Sequence, residues 1–281
     1  MNAVIVGAGG QVGRALRREF PDAIALDRAG LDLADAAAVR SFDWTGVDVV
    51  LNAAAWTAVD AAEDPANAVA VRAANVDGVG RLAAAAQAHG FALVHLSSEY
   101  VFDGTHPGPI PEDLPPSPLS VYGRSKADGD ALATAIERHW LVRTTWVVGE
   151  GGNFVRTMAA LADRGVCPAV VDDQVGRPTS TDDLAAGIRH LVETGAPYGT
   201  YNLTGSGEPG SWADVATAVF TARGRRADDV IRVSTADYFA GRTGIAPRPL
   251  NSVLDLSKIE ATGYRPRGWR TGLQSYLTGL S

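Results

Sequence analysis

The sequence predicts an α/β chain: a Rossmann-type, doubly wound parallel sheet with a smaller α+β unit attached. Three observations carry that expectation. Short, wholly apolar runs alternate with helical patterns through the first half, as strands buried on both faces require. A glycine-rich turn joins the first run to the first helix, and right-handed crossovers then wind helices onto both faces of the sheet. Beyond about residue 149 the alternation loosens, glycine and proline rise and the runs shorten.

Taken in order, the first strand is expected over 3–6 and its helix over 11–19. A second strand over 23–26 ends at Asp27, and a third over 47–52 precedes an alanine-rich helical stretch from about 66 to 89. A fourth strand is expected over 91–96, then a helix over 126–138 and a strand over 141–148. Residues 105–118 hold six prolines, so neither a helix nor a central strand can pass through them, and they read as a surface loop. No repeat of fixed period is present.

Composition bounds the function. The 281 residues are 46% hydrophobic and 20% charged, enough for a sizeable core in one large or two unequal units. A net charge of -7 with no basic run argues against nucleic acid as a partner. Cys167 is the single cysteine, which excludes an internal disulfide or a thiolate cluster; it reads as a small buried or half-buried apolar residue. The N-terminus has no basic region and meets Gly7 after four apolar residues, so neither a signal peptide nor a membrane span is expected, and the location is expected to be cytoplasmic. His89, His95, His106, His139 and His190 are scattered without metal-ligand spacing, and no metal is expected. Ser97 and Ser98 lack the flanking glycines of a hydrolase nucleophile elbow.

Gly7, Gly10 and Gly13 stand between the first strand and helix at the spacing of a dinucleotide turn. One glycine permits the turn, one lets backbone approach a pyrophosphate, and one allows close helix–sheet packing. The helix N-terminus at Gln11 and Val12 then turns its amides toward phosphate. Asp27 follows Gly7 by twenty residues, where a carboxylate accepts from an adenosine ribose hydroxyl, whereas Arg28 suits a 2′-phosphate. NADH and NADPH therefore both remain open. Asp32, Leu33 and the small residues Ala53, Ala54 and Ala55 complete the expected cofactor contacts. Residues 1–150 are expected to form the NAD(P)-binding unit, with a later segment near 170–200 returning to it, and 151–281 mostly the substrate unit.

Tyr122 and Lys126 lie four apart at the start of a helix and so share a face. An ammonium beside a phenol favours the phenolate, so Lys126 is expected to lower the Tyr122 pKa and to hold the nicotinamide ribose. Ser98 closes the preceding strand, where a hydroxyl can donate to a carbonyl oxygen that gains charge as hydride arrives.

These residues resemble a known family, the extended short-chain reductases that convert dTDP-4-dehydrorhamnose to dTDP-rhamnose. The markers are the glycine turn, the segment from Asn52 through Asp60 to Glu63, Ser97 to Gly104, Tyr122 to Lys126, Asp172 to Thr179, and Ala246 to Ser252. The resemblance implies Ser98, Tyr122 and Lys126 as the catalytic trio, with Tyr122 protonating the C4 oxygen. It implies Val59, Glu99, Tyr100 and Trp146 against the sugar, and Asn153, Phe154, Arg248 and Asn251 against the nucleotide diphosphate. The substrate implied is a dTDP-linked 4-keto-6-deoxyhexose, handled by a monomer or homodimer. Two positions depart from the family pattern. Ser98-Glu99 stands where threonine then aspartate is usual, which leaves the hexose open to another dTDP-4-keto-6-deoxysugar. Ala15 stands where some members carry a magnesium-binding glutamate, so neither that metal nor its dimer is carried over. A non-catalytic, cofactor-binding regulator is the rival of a different class, and the intact trio argues against it.

Overall fold

Val4 and Val6 face one side of a sheet and Ala3 and Ile5 the other, and all four are buried, so helices must cover both sides. The structure is a computed structural model that describes residues 1–280. Its first half runs β1 (Ala3–Val6), α1 (Gln11–Glu19), β2 (Ile24–Leu26), α2 (Ala36–Ser41), β3 (Val49–Asn52), α3 (Ala68–Arg72), α4 (Gly78–His89), β4 (Ala92–Ser98), α5 (Val121–Thr134) and β5 (His139–Thr144). There follow β6 (Val147–Val148), α6 (Phe154–Asp163), β7 (Ala169–Val171), β8 (Val175–Gly176), β9 (Thr179–Ser180), α7 (Thr181–Glu193) and β10 (Gly199–Asn202). The chain ends with β11 (Gly210–Ser211), α8 (Trp212–Ala222), β12 (Ile231–Val233), α9 (Thr235–Tyr238), α10 (Ser257–Ala261) and α11 (Trp269–Thr278).

Six parallel strands form one sheet in the order β10-β5-β4-β3-β1-β2. The order reverses between β1 and β3, and this switch point leaves a crevice at the strands' carboxyl ends. Leu16 of α1 and Leu184, Ile188 and Leu191 of α7 share a core with Ile5 on one face. Val79 and Leu82 of α4 pack with Val4, Val6 and Trp44 on the other. After β5 the chain leaves the sheet, then comes back as α7 and β10 before leaving again. A separate core joins α6, α8 and α11 through Val155, Ala159, Val219, Phe220, Trp269 and Leu273. No helix among the described residues is long and apolar enough to cross a membrane.

Several elements differ from expectation for identifiable reasons. The second strand is a three-residue edge, with Ile24 54% exposed, because nothing pairs beyond it. The helix α2 was not expected; Asp35 starts it by accepting from the amides of Ala37 and Ala38. The alanine-rich stretch is not one helix. A π turn over Ala73–Asp77 separates α3 from α4, and the fully buried Asn75 within it accepts from the Trp56 amide and donates to the Trp56 carbonyl and Ser125 Oγ. The helix expected over 126–138 begins earlier, because Ser120 caps it by accepting from the Gly123 amide at 3.0 Å. The strand expected over 141–148 breaks at Trp146, whose φ of 45° turns the chain into a second small sheet. The proline loop is pinned rather than free: Ile110 is wholly buried and its amide donates to the Val253 carbonyl at 2.7 Å. Cys167, expected to be at least half-buried, is exposed.

A Cβ on Gly129 would lie 2.1 Å from the Asn75 carbonyl oxygen, so α5 reaches the π turn only because that position has no side chain. Gly129→Ala should cost about 1–3 kcal/mol in urea unfolding, from overpacking against backbone. Gly152→Ala, with nothing within 4 Å, should stay within about 0.5 kcal/mol of the parent chain.

Candidate active site

The loops after β1, β2 and β3 enclose a cavity of about 300 Å³. Of the expected cofactor residues, Gly7, Gly10, Arg28, Asp32, Leu33, Ala53, Ala54 and Ala55 line it. Leu31, Trp56, Ala70, Ala73 and Ala74 line it too; none was among the expected contacts, and only Trp56 lies within a marker segment. Gly7 has φ 79°, and a Cβ there would sit 2.5 Å from the Ala54 amide nitrogen. Gly13 lies beneath the wall, its absent Cβ 2.1 Å from the Gly7 oxygen. Gly10 precedes α1 and brings no side chain to cap its first turn, which leaves that N-terminus to an anion. Val12 packs into the core, and Gln11 donates toward the Gly152 carbonyl at 3.3 Å. A glycine cradle beside an uncapped helix start fits a dinucleotide pyrophosphate.

Asp27 is engaged differently from expectation. Its Oδ1 accepts from the amides of Ala29 at 3.0 Å and Gly30 at 3.1 Å, so it closes its own turn. Arg28, not Asp27, faces the cavity.

The expected catalytic side chains come together where β4 ends against α5. Tyr122, Lys126 and Asp130 repeat every four residues, so one face of α5 presents phenol, amine and carboxyl in series. Ser98 is 8% exposed, Glu99 3% and Tyr122 8%. The Ser98 hydroxyl donates to Glu99 Oε2 at 2.6 Å and accepts from the Tyr100 amide at 3.2 Å. The Tyr100 ring meets the Tyr122 ring edge-on at 5.4 Å, and Val59 packs beside both.

Lys126 does not act on Tyr122 as the sequence suggested. Its ammonium donates to the Leu96 carbonyl at 2.6 Å and lies 3.3 Å from His95 Nε2. Burial and then the Glu99 charge hold the Tyr122 phenol above its ordinary range, with Ser98 pulling the other way. Burial also lowers the Lys126 amine and drives His95 well below its usual value, so His95 is neutral and its 3.8 Å contact with Asp130 is no ion pair. Burial raises Glu99 to about 7. Asp130 rises to about 6, again chiefly through burial, with Lys126, Ser97 and Arg143 opposing. Ser97 donates to Asp130 Oδ2 at 2.6 Å, and Arg143 Nε lies 3.9 Å from the same oxygen.

A second cavity, about 330 Å³, opens between the turn at Asp60 and the later elements. Phe154 and Arg248, both expected here, line it together with Asp60, Trp212, Tyr238 and Phe239. The Trp146 and Trp212 rings stack at 3.8 Å, and Phe154 tilts onto Trp212 at 4.6 Å. Arg248 Nη2 donates to both Asp60 oxygens at 2.9 Å, and its guanidinium lies 4.9 Å over the Phe239 ring. Asn153 and Asn251 are not on this wall. Asn153 caps α6 and donates to the Gly149 carbonyl and the Tyr276 hydroxyl. Asn251 donates to the carbonyls of His106 and Gly108 at 2.8 Å each. Both amides are spent on holding loops.

A switch-point cradle for a dinucleotide, on the same carboxyl edge of the parallel sheet as a buried Ser–Tyr–Lys set, defines an NAD(P)-dependent oxidoreductase of the short-chain type. The model described as RmlD substrate binding domain matches residues 1–281. The chain is 40% identical to a dTDP-4-dehydrorhamnose reductase of Aggregatibacter actinomycetemcomitans, over 97% of each sequence. It also superposes on a crystal structure of a dTDP-4-dehydrorhamnose reductase from Clostridium acetobutylicum with TM-score 0.90 and 35% identity, covering 100% of this chain and 99% of that one. The Bacillus anthracis dTDP-4-dehydrorhamnose reductase in complex with NADP matches at TM-score 0.90 and 31% identity, covering 99% of both. This chain belongs to the RmlD substrate binding domain family.

Asp130 is the buried anion between two buried cations, Lys126 and Arg143. Asp130→Asn should lower unfolding free energy by about 3 kcal/mol, because it leaves Lys126 uncompensated and Arg143 with Glu112 alone. Urea denaturation should be read near pH 8, above the Asp130 value of about 6.

Proposed function

We propose that the chain reduces the C4 keto group of dTDP-4-dehydro-L-rhamnose to dTDP-L-rhamnose, using NADPH or NADH. The observation that supports this reading is that Ser98 and Tyr122 face each other at the carboxyl end of β4, with Lys126 one turn further along α5, on the same sheet edge as the glycine cradle. A bound nicotinamide would supply the hydride. Gly7, Gly10 and the amides at the start of α1 would hold its pyrophosphate, while Ala53, Ala54 and Ala55 would leave room for the riboses. Tyr122, kept protonated by its burial, hands its proton to the C4 oxygen as charge gathers there. Ser98 steadies that oxygen, and Lys126 is anchored by Leu96 with its ammonium beneath the site. Phe154 and Trp212 offer flat surfaces for a base, and Arg248 offers a guanidinium for phosphate. Val59, Glu99, Tyr100 and Trp146 border the sugar. In this reading residues 1–150 with the returning segment near 170–200 hold the cofactor, and 151–281 mostly hold the nucleotide.

The protein is proposed to work in the cytoplasm, as a monomer or homodimer, without nucleic acid. The longer Glu99 side chain favours a second outcome, a 4-ketoreductase acting on another dTDP-4-keto-6-deoxysugar. NMR of the product's C4 stereochemistry separates the two.

An assay with dTDP-4-dehydrorhamnose should consume NAD(P)H, and Tyr122→Phe should lower kcat on the order of a hundredfold or more. Unchanged turnover in that variant removes Tyr122 from its role. Because Arg28 faces the cavity while Asp27 is tied into its turn, Arg28→Ala should raise the Kd for NADPH by roughly tenfold and leave that for NADH nearly unchanged. Isothermal titration with each cofactor reads the difference.

A further inference from the structure

A serine hydroxyl has one proton to give and two lone pairs to fill. In this site the Ser98 proton already goes to Glu99 Oε2, at 2.6 Å, and one lone pair takes the Tyr100 amide at 3.2 Å. Nothing is left for a substrate carbonyl while Glu99 accepts. The conflict disappears if the Glu99 carboxyl carries a proton. It then donates to Ser98, the second lone pair is filled, and the Ser98 proton is free to point into the site.

We infer that Glu99 is a positioning residue that sets the direction of the Ser98 hydroxyl: its neutral form releases the Ser98 proton to the substrate's carbonyl oxygen, and its ionised form withdraws it. The inference rests on the reductase reading above. Glu99 touches no reacting atom in this role, and no proton is transferred from it in net terms. Its surroundings favour such a switch. The carboxyl is 3% exposed, and no lysine or arginine bonds to it among the described residues. Burial lifts it to about 7, so both forms are populated near neutrality.

The groups around it are few. Tyr122 from α5, whose phenol also interacts with the Ser98 hydroxyl, and Tyr100 from its own turn face Glu99, and both phenols are held protonated by burial and by the Glu99 charge. Further along α5, Lys126 and Asp130 are engaged with Leu96 and Ser97, and Arg124 with the Leu119 carbonyl. Asp60 and Arg248 act on Tyr100 and on each other.

The test is a pH profile of kcat/KM in the cofactor-saturated enzyme with a dTDP-4-keto sugar. Wild type should lose activity as pH rises through about 7, toward a plateau on the order of a hundredfold lower, the usual cost of one lost oxyanion donor. Glu99→Gln, whose amide donates to Ser98 at every pH, should give a flat profile from about pH 6 to 8.5 whatever its absolute rate, and Glu99→Asp should restore a fall. Ser98→Ala should be flat at the lower plateau. A Glu99→Gln profile that falls as wild type does overturns the inference. Infrared difference spectra of wild type against Glu99→Gln read the carboxyl without turnover: a protonated-carboxyl band should fade as pH rises through neutrality, and its absence at about pH 6 also overturns the inference. If the band titrates but no such sugar is reduced, the reductase reading fails and takes this role with it.

Discussion

How closely α5 can approach its neighbours governs the catalytic end. A Cβ on Gly123 would lie 2.2 Å from the Tyr100 carbonyl oxygen, and one on Gly129 lies at a similar distance, 2.1 Å, from the Asn75 carbonyl. Backbone meets backbone at two points six residues apart on one helix. With the start of the helix fixed by Ser120, those contacts leave α5 little freedom to rotate or slide. The series Tyr122, Lys126, Asp130 is thereby pressed against the end of β4. A bulkier residue at either glycine would lift the helix and carry the phenol away from Ser98.

That closeness also excludes water, and exclusion dominates the electrostatics. For His95, Glu99, Tyr122, Lys126 and Asp130 the largest influence is burial; a neighbouring charge comes second for all but Glu99, where the Ser98 hydroxyl does. The charged residues survive there because Asp130 answers both Lys126 and Arg143, while neutral His95 accepts from Asn52 at 3.0 Å. Asn52 ends β3 and its Oδ1 accepts from the Ala54 amide, so a single side chain links the cofactor cavity to the groups beneath Lys126. On the other flank, Asp60 and Arg248 join segments 188 residues apart and fix one wall of the aromatic cavity.

Local pattern made much of this legible. The apolar runs located the strands, and α1 matched its expected bounds, because wholly buried strands and an amphipathic helix each write a period into the sequence. The glycine turn and the Tyr122–Lys126 spacing are local too, and the structure puts both at the carboxyl edge of the sheet. What was hidden depends on partners distant in sequence. Asn75 breaks the alanine-rich helix through bonds to Trp56 and Ser125, and no single-helix pattern announces them. Asp27 satisfies the ribose spacing and yet serves its own turn. The pKa argument for Tyr122 failed because spacing puts an amine near a phenol without saying where the amine points. Asn153 and Asn251 suit a phosphate by chemistry but are consumed by loop carbonyls.

The late return of β10 to the main sheet bears on how the molecule is made. Leu184, Ile188, Leu191 and Tyr201 complete the core that contains Ile5 and Leu16. A nascent chain that has just exposed β5 therefore has an open sheet edge beside it and a bare patch on α1. At about 5–20 residues per second, that condition lasts on the order of seconds before β10 leaves the ribosome. Cotranslational folding must pause with the sheet one strand short, and a holdase that shields the edge during the interval would raise the yield of native enzyme.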